Sequence, residues 1–391
     1  MRSVELFAGG GGLAIGLEKA GFEPAFIIEN NRDACKTLAA NYLGKSGAQI
    51  HSADIRQFDY STIEENVTLV SGGPPCQPFS LGGRHKAFND DRDLFPEAVR
   101  AIRELRPQAF IFENVKGLLR KSFAEYFEYI LLQLQYPLLK RNGAACWTEH
   151  LSQLERHHTS KGETELEYNL CFRLLNSANY GVPQKRERVF IVGFRSDLDV
   201  DWSFPNPTHS EDSLLWSKWV TGDYWARHGI SKPNMDARTL KKVESLRNTY
   251  GMFEPTEKPW VTVRDAISCL PDPQHSSSSQ YLNHEFKGGA RSYPGHTGSP
   301  IDEPSKTLKA GGHGVPGGEN MIRFEDDSIR YFTVRESARI QTFPDDYNLE
   351  GAWGEAMRQI GNAVPVELAR VVGASVNSAL SEAQSRTKIA S

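Results

Sequence analysis

A single cysteine, Cys76, lies in a loop where a thiol could act as a nucleophile. Residues 67–70 (Val-Thr-Leu-Val) read as a short buried strand, and the glycines and prolines of residues 72–80 predict an irregular loop after it. Open α/β sheets carry their chemistry at the carboxyl ends of their strands. An isolated cysteine is more often packed in a core than reactive, so its interpretation depends on the rest of the chain.

A carboxylate closes the next candidate strand. Residues 109–115 (Ala-Phe-Ile-Phe-Glu-Asn-Val) are apolar until Glu113. Burial of a carboxyl group is unfavourable unless the group is paired or takes part in chemistry. Because parallel strands bring their carboxyl ends to one edge of a sheet, we expect Glu113 and Cys76 to act together.

Two arginines enter a later strand on one face. Within residues 183–193, Arg186 and Arg188 are two positions apart, so a strand directs both side chains to the same side. Such a pair is commonly exposed to solvent. Facing a pocket, it would bind a carboxylate, a phosphate or a carbonyl oxygen.

A glycine turn near the start of the chain indicates a cofactor that contains adenosine. Gly9, Gly11 and Ala14 have the spacing G-x-G-x-x-A where a candidate strand turns into a helix. Glu29 ends the second candidate strand, where a carboxylate can accept hydrogen bonds from ribose hydroxyls. NAD and S-adenosylmethionine both carry this ribose, so the glycine pattern does not choose between them.

The composition is ordinary for a globular enzyme and excludes several classes of protein. The chain has 391 residues, a net charge of −4 and a pI near 6.3, which gives no basic footprint typical of nucleic-acid-binding domains. Five scattered cysteines form no Cys-x-x-Cys pair, so we predict neither a disulfide framework nor a metal site. We find no apolar membrane span and no signal peptide, and therefore expect a cytoplasmic protein.

The middle of the chain has a different character. Residues 196–330 mix tryptophans, proline-rich turns, a serine run and a glycine-rich stretch, without a long helical or strand period. This predicts a separate, irregular domain. We expect its tryptophans, Trp202, Trp216, Trp219 and Trp225, to form its small core.

Six blocks of sequence, taken in order, resemble those of DNA cytosine-5 methyltransferases of the bacterial restriction-modification type. They are residues 7–11 (Phe-Ala-Gly-Gly-Gly), 75–80 (Pro-Cys-Gln-Pro-Phe-Ser), 113–115 (Glu-Asn-Val), 184–188 (Gln-Lys-Arg-Glu-Arg), 335–336 (Arg-Glu) with 341–344 (Gln-Thr-Phe-Pro), and 361–365 (Gly-Asn-Ala-Val-Pro). The resemblance covers nearly all of residues 1–195 and 330–380. Glu5 departs from the family pattern, which often has Asp there, but we expect its negative charge to be kept.

The resemblance implies an α/β fold with a doubly wound, mostly parallel sheet, the class I S-adenosylmethionine-dependent methyltransferase fold. It also implies a second, smaller and irregular DNA-recognition domain. Residues 1–195 and 331–391 would form the catalytic, cofactor-binding domain, and residues 196–330 the target-recognition domain. The implied enzyme is a monomer that methylates cytosine in a specific double-stranded DNA sequence with S-adenosylmethionine. A cognate restriction endonuclease would be a genetic rather than a physical partner.

The resemblance also assigns roles to individual residues. Cys76 would add to carbon 6 of a flipped cytosine, and Glu113 would bind ring nitrogen 3 and the amino group. Arg188, with Arg186, would hold the carbonyl at position 2 and orient Glu113. The implied cofactor contacts are Phe7, Gly9, Gly11, Glu29, Asn30, Asp54, Ile55, Pro75, Leu94, Asn362 and Val364. The candidate DNA contacts are Ser80, Arg84 and Lys86, in a loop that could close over the site, and Arg291, Lys309 and Arg323 in the middle domain.

Three other readings remain open from the sequence. A transfer RNA cytosine-5 methyltransferase would share the same blocks, although the long middle domain favours DNA. A non-catalytic DNA-binding relative would not need the cysteine, the acid and the arginines together. An NAD-dependent dehydrogenase accounts for the glycines but leaves Cys76, Glu113 and Arg188 without a purpose.

Overall fold

The computed structural model describes most of the chain and divides it into two compact units. The described residues are 1–44, 47–64, 66–75, 93–143, 146–162, 164–310 and 318–390. The first unit comprises residues 1–175, 187–205 and 348–391, and the second comprises residues 176–186 and 206–347. Across the described ranges, no helix combines the length and apolarity that a membrane span requires.

Strands and helices alternate through the first part of the chain. The strands are Arg2–Leu6 (β1), Glu23–Glu29 (β2), Gln49–Ser52 (β3), Leu69–Gly72 (β4), Ala109–Val115 (β5), Tyr168–Asn176 (β6), Glu187–Arg195 (β7), His209–Ser210 (β8), Lys258–Pro259 (β9), Ser299–Pro300 (β10), Met321–Arg323 (β11) and Ile329–Tyr331 (β12). The helices are Gly12–Lys19 (α1), Arg32–Tyr42 (α2), Phe95–Leu105 (α3), Ala124–Gln135 (α4), Trp147–Ser160 (α5), Glu211–Leu215 (α6), Asp223–His228 (α7), Ala237–Tyr250 (α8), Val263–Ile267 (α9), Val334–Ile340 (α10), Trp353–Asn362 (α11) and Val366–Ala390 (α12).

The first unit is built on a sheet of seven strands in the order β3-β2-β1-β4-β5-β7-β6. The first five of these strands pair in parallel, and β7 runs antiparallel to β5. Chain order reverses between β1 and β4, and open α/β sheets bind ligands in the crevice at such a point. The predicted doubly wound, mostly parallel sheet is confirmed.

Helix α1 packs closely against helix α12 because Gly16 has no side chain. A Cβ atom built on Gly16 would lie 2.4 Å from the Cβ of Ala369 and 2.6 Å from the carbonyl oxygen of Val366. Both distances are shorter than van der Waals contact. The glycine therefore sets the separation of the two helices, and through α1 the position of the glycine turn before it.

Alanine at position 16 is expected to destabilise the first unit by about 1–3 kcal/mol, because the added methyl group must push α12 away. Urea denaturation of the Gly16→Ala variant measures this loss. Gly47→Ala is the matched control, since nothing lies within 4 Å of the Cβ built there. Equal midpoints for the two variants would contradict the packing argument.

The second unit has its own aromatic core, which surrounds a buried lysine. Trp219, Tyr224 and Trp225 are buried in this core, and the Nζ atom of Lys218 lies between 5.4 and 5.9 Å from their ring centroids. Nζ also pairs with Glu303 at 2.9 Å. The prediction that tryptophans form this core holds for Trp219 and Trp225.

Trp202 does not belong to that core. It lies in the first unit, where its ring packs against Phe204 with centroids 4.7 Å apart. Its indole N–H donates to Ser375 Oγ at 2.8 Å. The segment that carries Trp202 is thus tied to α12, which places residues 196–205 in the first unit.

Arg335 explains why residues 331–347 belong to the second unit. The side chain is fully buried and donates hydrogen bonds to the carbonyl oxygens of Leu282, Pro344 and Tyr347, at 2.9, 2.9 and 2.7 Å. The predicted division at residues 195 and 331 differs from the contact-defined units in three segments. These segments are 176–186, 196–205 and 331–347.

Candidate active site

A cavity of about 460 Å³ opens at the carboxyl ends of β1, β2, β4 and β5 in the first unit. This is the crevice that the strand order predicts. Of the predicted site residues, those that line it are Phe7, Gly9, Glu29, Asn30, Ile55, Pro75, Leu94, Glu113, Arg188, Asn362 and Val364. Gly11, Asp54 and Arg186 are not in its described lining. Cys76, Ser80, Arg84 and Lys86 lie outside the described residues.

Glu29 holds the glycine turn against the end of β2. One carboxylate oxygen accepts from the backbone N–H of Gly9 at 2.7 Å. The other accepts from the backbone N–H groups of Asn30 at 3.0 Å and Asn31 at 2.7 Å. A carboxylate has about four acceptor positions, so one remains for a ligand in the cavity.

Gly9 and Gly11 allow the tight turn that follows β1. Their φ angles are 54° and 82°, in the left-handed region that side chains disfavour. Nothing lies within 4 Å of a Cβ built on Gly9, so its backbone borders open space. Gly11 supports the turn as the residue that precedes α1 and does not line the cavity itself.

The Asp54 carboxylate interacts with Arg56 in its own turn. Its carboxylate caps the turn by accepting from the Arg56 backbone N–H at 3.0 Å, and it forms an ion pair with the Arg56 guanidinium at 2.5 Å. The hydrogen bonds from Arg56 lower the pKa of Asp54. Ala53 and Ile55, on either side, form the cavity wall. The contact of Asp54 with adenine stays a prediction.

Glu113 and Arg188 form an ion pair at the cavity wall. The Nε atom of Arg188 lies 2.7 Å from Oε1 of Glu113, and their side chains are only 13% and 9% exposed. The antiparallel pairing of β5 with β7 places Arg188 opposite Val115, two residues from Glu113. The ion pair with this guanidinium restricts the orientation of the Glu113 carboxylate, which lines the cavity.

Asn114 fastens the end of β4 to β5. Its side-chain amide donates to the carbonyl oxygen of Pro74 at 2.9 Å. A Cβ built on Gly73 would lie 3.4 Å from Oε2 of Glu113, so the chain after β4 passes beside this carboxylate. The polypeptide thus reaches Pro75, the residue before Cys76, beside Glu113.

Comparison with known proteins gives the family. The model of the C-5 cytosine-specific DNA methylase family matches residues 1–136 and 149–378. The chain belongs to the C-5 cytosine-specific DNA methylase family. It is 33% identical over 384 residues to the Type II methyltransferase M.PspPI of Psychrobacter sp. (strain TA137), covering 95% of this chain and 78% of that protein. It is 32% identical to M.Eco47II of Escherichia coli, with the same coverage. The predicted family and enzyme class are confirmed.

Solved structures resemble this methylase along nearly its whole length. A DNA modification methyltransferase encoded within an E. coli prophage has a TM-score of 0.57 at 20% identity, covering 97% of this chain and 99% of its own. The Dnmt2 methyltransferase of S. pombe has a TM-score of 0.54 at 18% identity, covering 98% and 99%. At these identities, the likeness shows the fold.

Arg186 lies in the second unit of the methylase, where it is fully buried. Its Nη1 atom donates to the carbonyl oxygen of Leu308 at 3.2 Å. The side-chain oxygen of Gln184 accepts from the Leu308 backbone N–H at 2.9 Å. The side chains of Arg186 and Gln184 thus bind the carbonyl oxygen and the N–H group of Leu308. Arg186 is therefore not among the described residues that line the cavity, and its role beside Arg188 stays a prediction.

The predicted DNA contacts of the middle region have different surroundings. Arg291 is exposed, and we find no ion pair for it among the described residues. Lys309 pairs with Glu319 at 2.7 Å, and Arg323 pairs with Asp327 at 3.0 Å. The exposed partners are Lys309 in the first pair and Asp327 in the second, whereas the Glu319 side chain is only 17% exposed. Their roles stay predictions.

Glu5 is a site residue whose state the sequence did not indicate. It lines the cavity, is 3% exposed, and its Oε2 has no hydrogen-bond partner in the part of the chain that the structure describes. Burial, with a smaller contribution from the charge of Glu29, raises the pKa of Glu5 to about 8. At neutral pH this carboxyl group is mostly protonated. Glu5 thus keeps the acidic residue type of the family pattern, and its burial favours the protonated form.

Glutamine at position 5 is expected to stabilise the methylase relative to wild type, increasingly so as pH rises from 5.5 to 7.5. The unfolded carboxyl loses its proton near 4.5, whereas the folded one keeps it until about 8. Wild type therefore loses about 1.4 kcal/mol per pH unit in this window, and Glu5→Gln does not. Urea midpoints at several pH values measure the difference; a constant difference would show that Glu5 folds as an anion.

Proposed function

We propose that this methylase modifies carbon 5 of cytosine within one short duplex DNA sequence, using S-adenosylmethionine. The observation that carries the proposal is the buried Glu113–Arg188 pair at the cavity wall, with Pro75 bordering the same cavity. The alternative of an NAD-dependent dehydrogenase assigns no role to this ion pair. The Type II methyltransferases among its relatives support a further proposal, that it protects host DNA beside a separately acting restriction endonuclease.

The described residues fit S-adenosylmethionine. The cavity is large enough for a ligand of this size. Glu29 retains acceptor capacity for ribose hydroxyls, and Ile55 offers an apolar surface for adenine. Glu5 has a buried oxygen, Oε2, without a hydrogen-bond partner among the described residues, so it is available to a hydrogen-bonding group of the ligand. When bound, this cofactor supplies an electrophilic methyl group.

Cys76 makes cytosine reactive enough to take up that methyl group. Carbon 5 is a poor nucleophile, so the thiolate first adds to carbon 6 and converts the ring into an enamine. After carbon 5 has taken up the methyl group, water or a loop group removes the proton from carbon 5. The electron pair of that C–H bond then expels the Cys76 thiolate from carbon 6, which restores the aromatic ring. Covalent attack divides one difficult reaction into easier steps.

Glu113 stabilises the ring as the thiolate adds. Its carboxyl group hydrogen-bonds ring nitrogen 3 and the amino group, where negative charge develops. Arg188 keeps the carboxyl group in place and binds the carbonyl at position 2. Carbon 6 is inaccessible inside the base stack, so the cytosine must leave the duplex to reach these groups.

The test is sequencing-based mapping of 5-methylcytosine in unmethylated genomic DNA after incubation with the protein and S-adenosylmethionine. We expect modification confined to one short motif, and none when the cofactor is left out. A parallel reaction contains transfer RNA. Methylation of transfer RNA but not DNA, or no methylation by folded protein that binds the cofactor, would refute the proposal. Sedimentation of the same preparation tests the proposed monomer.

A further inference from the structure

A local excess of positive charge stands out in the second unit of this acidic protein. The whole chain has a net charge of −4, but residues 227–247 contain six Lys and Arg and only two Asp and Glu. This stretch includes most of α8. The net charge of the whole chain therefore hides a basic segment, most of which lies in helix α8.

Helix α8 packs against the rest of the second unit through one narrow face. Val243 and Leu246 are its buried residues. Arg238, Lys241 and Ser245 are exposed and recur at intervals of three and four residues, so they lie on the opposite face of the helix. A rigid helix thus presents a row of hydrogen-bond donors to solvent.

The cations of helix α8 outnumber the neighbouring acids. Lys242 pairs with Glu211 at 2.9 Å. For Arg238 and Lys241, by contrast, we find no ion pair within the described ranges. Asp236 caps the helix by accepting from the Thr239 backbone N–H at 2.6 Å. Asp236 and Glu211 both lie close enough to Arg238 for its positive charge to help lower their pKa values.

We propose that α8 binds the phosphate backbone of duplex DNA outside the cytosine that is methylated. This inference rests on the proposed function, which makes DNA the substrate. Phosphates match the face in charge, and Arg238 and Lys241 can contact neighbouring phosphates because the helix holds them in a fixed spacing.

The experiment compares two variants that remove the same charge. Arg238→Gln/Lys241→Gln changes the α8 face, and Arg156→Gln/Lys161→Gln changes exposed cations at the end of α5. The dissociation constant for a duplex that contains the mapped site is measured between 0.05 and 0.3 M salt, roughly the range in which phosphate contacts dominate. Circular dichroism verifies that both variants are folded.

Each lost phosphate contact removes about 0.9 from the slope of log affinity against log salt. We expect the α8 variant to have a slope smaller by about 1.8 and an affinity weaker by on the order of tenfold at the lowest salt. The α5 variant should retain the wild-type slope. Equal slopes for all three proteins would overturn the proposal.

The wild-type protein in the same assay separates this proposal from the proposed function. If wild type methylates the duplex and the slopes agree, only the assignment of α8 fails. If wild type neither binds nor methylates the duplex, the proposed function fails. Met252 and Phe253, which follow α8 and are 94% and 80% exposed, provide a third arm. Loss of DNA affinity in Met252→Ser/Phe253→Ser alone would refute phosphate contact as the role of this surface.

Discussion

Alanine in place of Cys76 is expected to abolish DNA methylation, with a loss of at least about 10⁴-fold in single-turnover rate. Without the thiolate, carbon 5 of cytosine stays too weak a nucleophile to be methylated. Residues that line the cavity are unchanged in this variant, so the cofactor should still bind. Quenched reactions with labelled S-adenosylmethionine measure the rate, and calorimetry measures cofactor binding.

Cys35→Ala is the matched control for the loss of a thiol. Cys35 is half-buried on α2, and its thiol donates to the Glu29 carbonyl oxygen at 3.3 Å. It lies near the cofactor side of the cavity but has no role in the proposed attack. Methylation by Cys76→Ala at the rate of the control would exclude covalent catalysis by Cys76.

The second large effect is expected from Glu113→Gln, which should lower the single-turnover rate by about 10²–10⁴-fold. Glutamine keeps the size of the side chain but cannot hold an ion pair with Arg188 or share a proton with ring nitrogen 3. The control is Glu187→Gln on the same strand as Arg188, because Glu187 pairs with Lys116 at 2.8 Å and is exposed. A Glu113→Gln rate equal to that of the control would contradict a role for the carboxylate.

Arg188→Gln, combined with Glu113→Gln, tests whether the arginine acts through the acid. If Arg188 serves mainly to orient Glu113, its removal costs little once the carboxylate is gone, and the double variant resembles Glu113→Gln. Fully additive losses would instead show that Arg188 contacts the cytosine independently. The structure favours coupling because the two groups are 2.7 Å apart and nearly buried.

The sheet and the acidic ends of its strands were predictable because they depend on local pattern. Apolar runs that end in Glu29 and Glu113 define both the strands and the edge where chemistry occurs. Strand and helix alternation then leaves few topologies. The position of Glu113 near Pro75 follows directly from this topology.

Other features required contacts between residues far apart in the chain. Arg186 and Arg188 are indistinguishable by strand periodicity, yet one bonds Leu308 and the other Glu113. The protonation of Glu5 depends on how completely the surrounding elements exclude water, which no short motif records. The assignment of residues 331–347 to the second unit likewise depends on Arg335, whose partner Leu282 is 53 positions away.

The discontinuous build of the two units has a consequence for exchanging segments between methylases. Among the described residues, each one that lines the cavity belongs to the first unit, so an exchange of residues 206–347 leaves these lining residues unchanged. That segment alone is nevertheless incomplete, because Gln184 and Arg186, which belong to residues 176–186, hydrogen-bond to the backbone of Leu308. If residues 206–347 alone were exchanged, Leu308 would be separated from Gln184 and Arg186, so residues 176–186 must be exchanged with them.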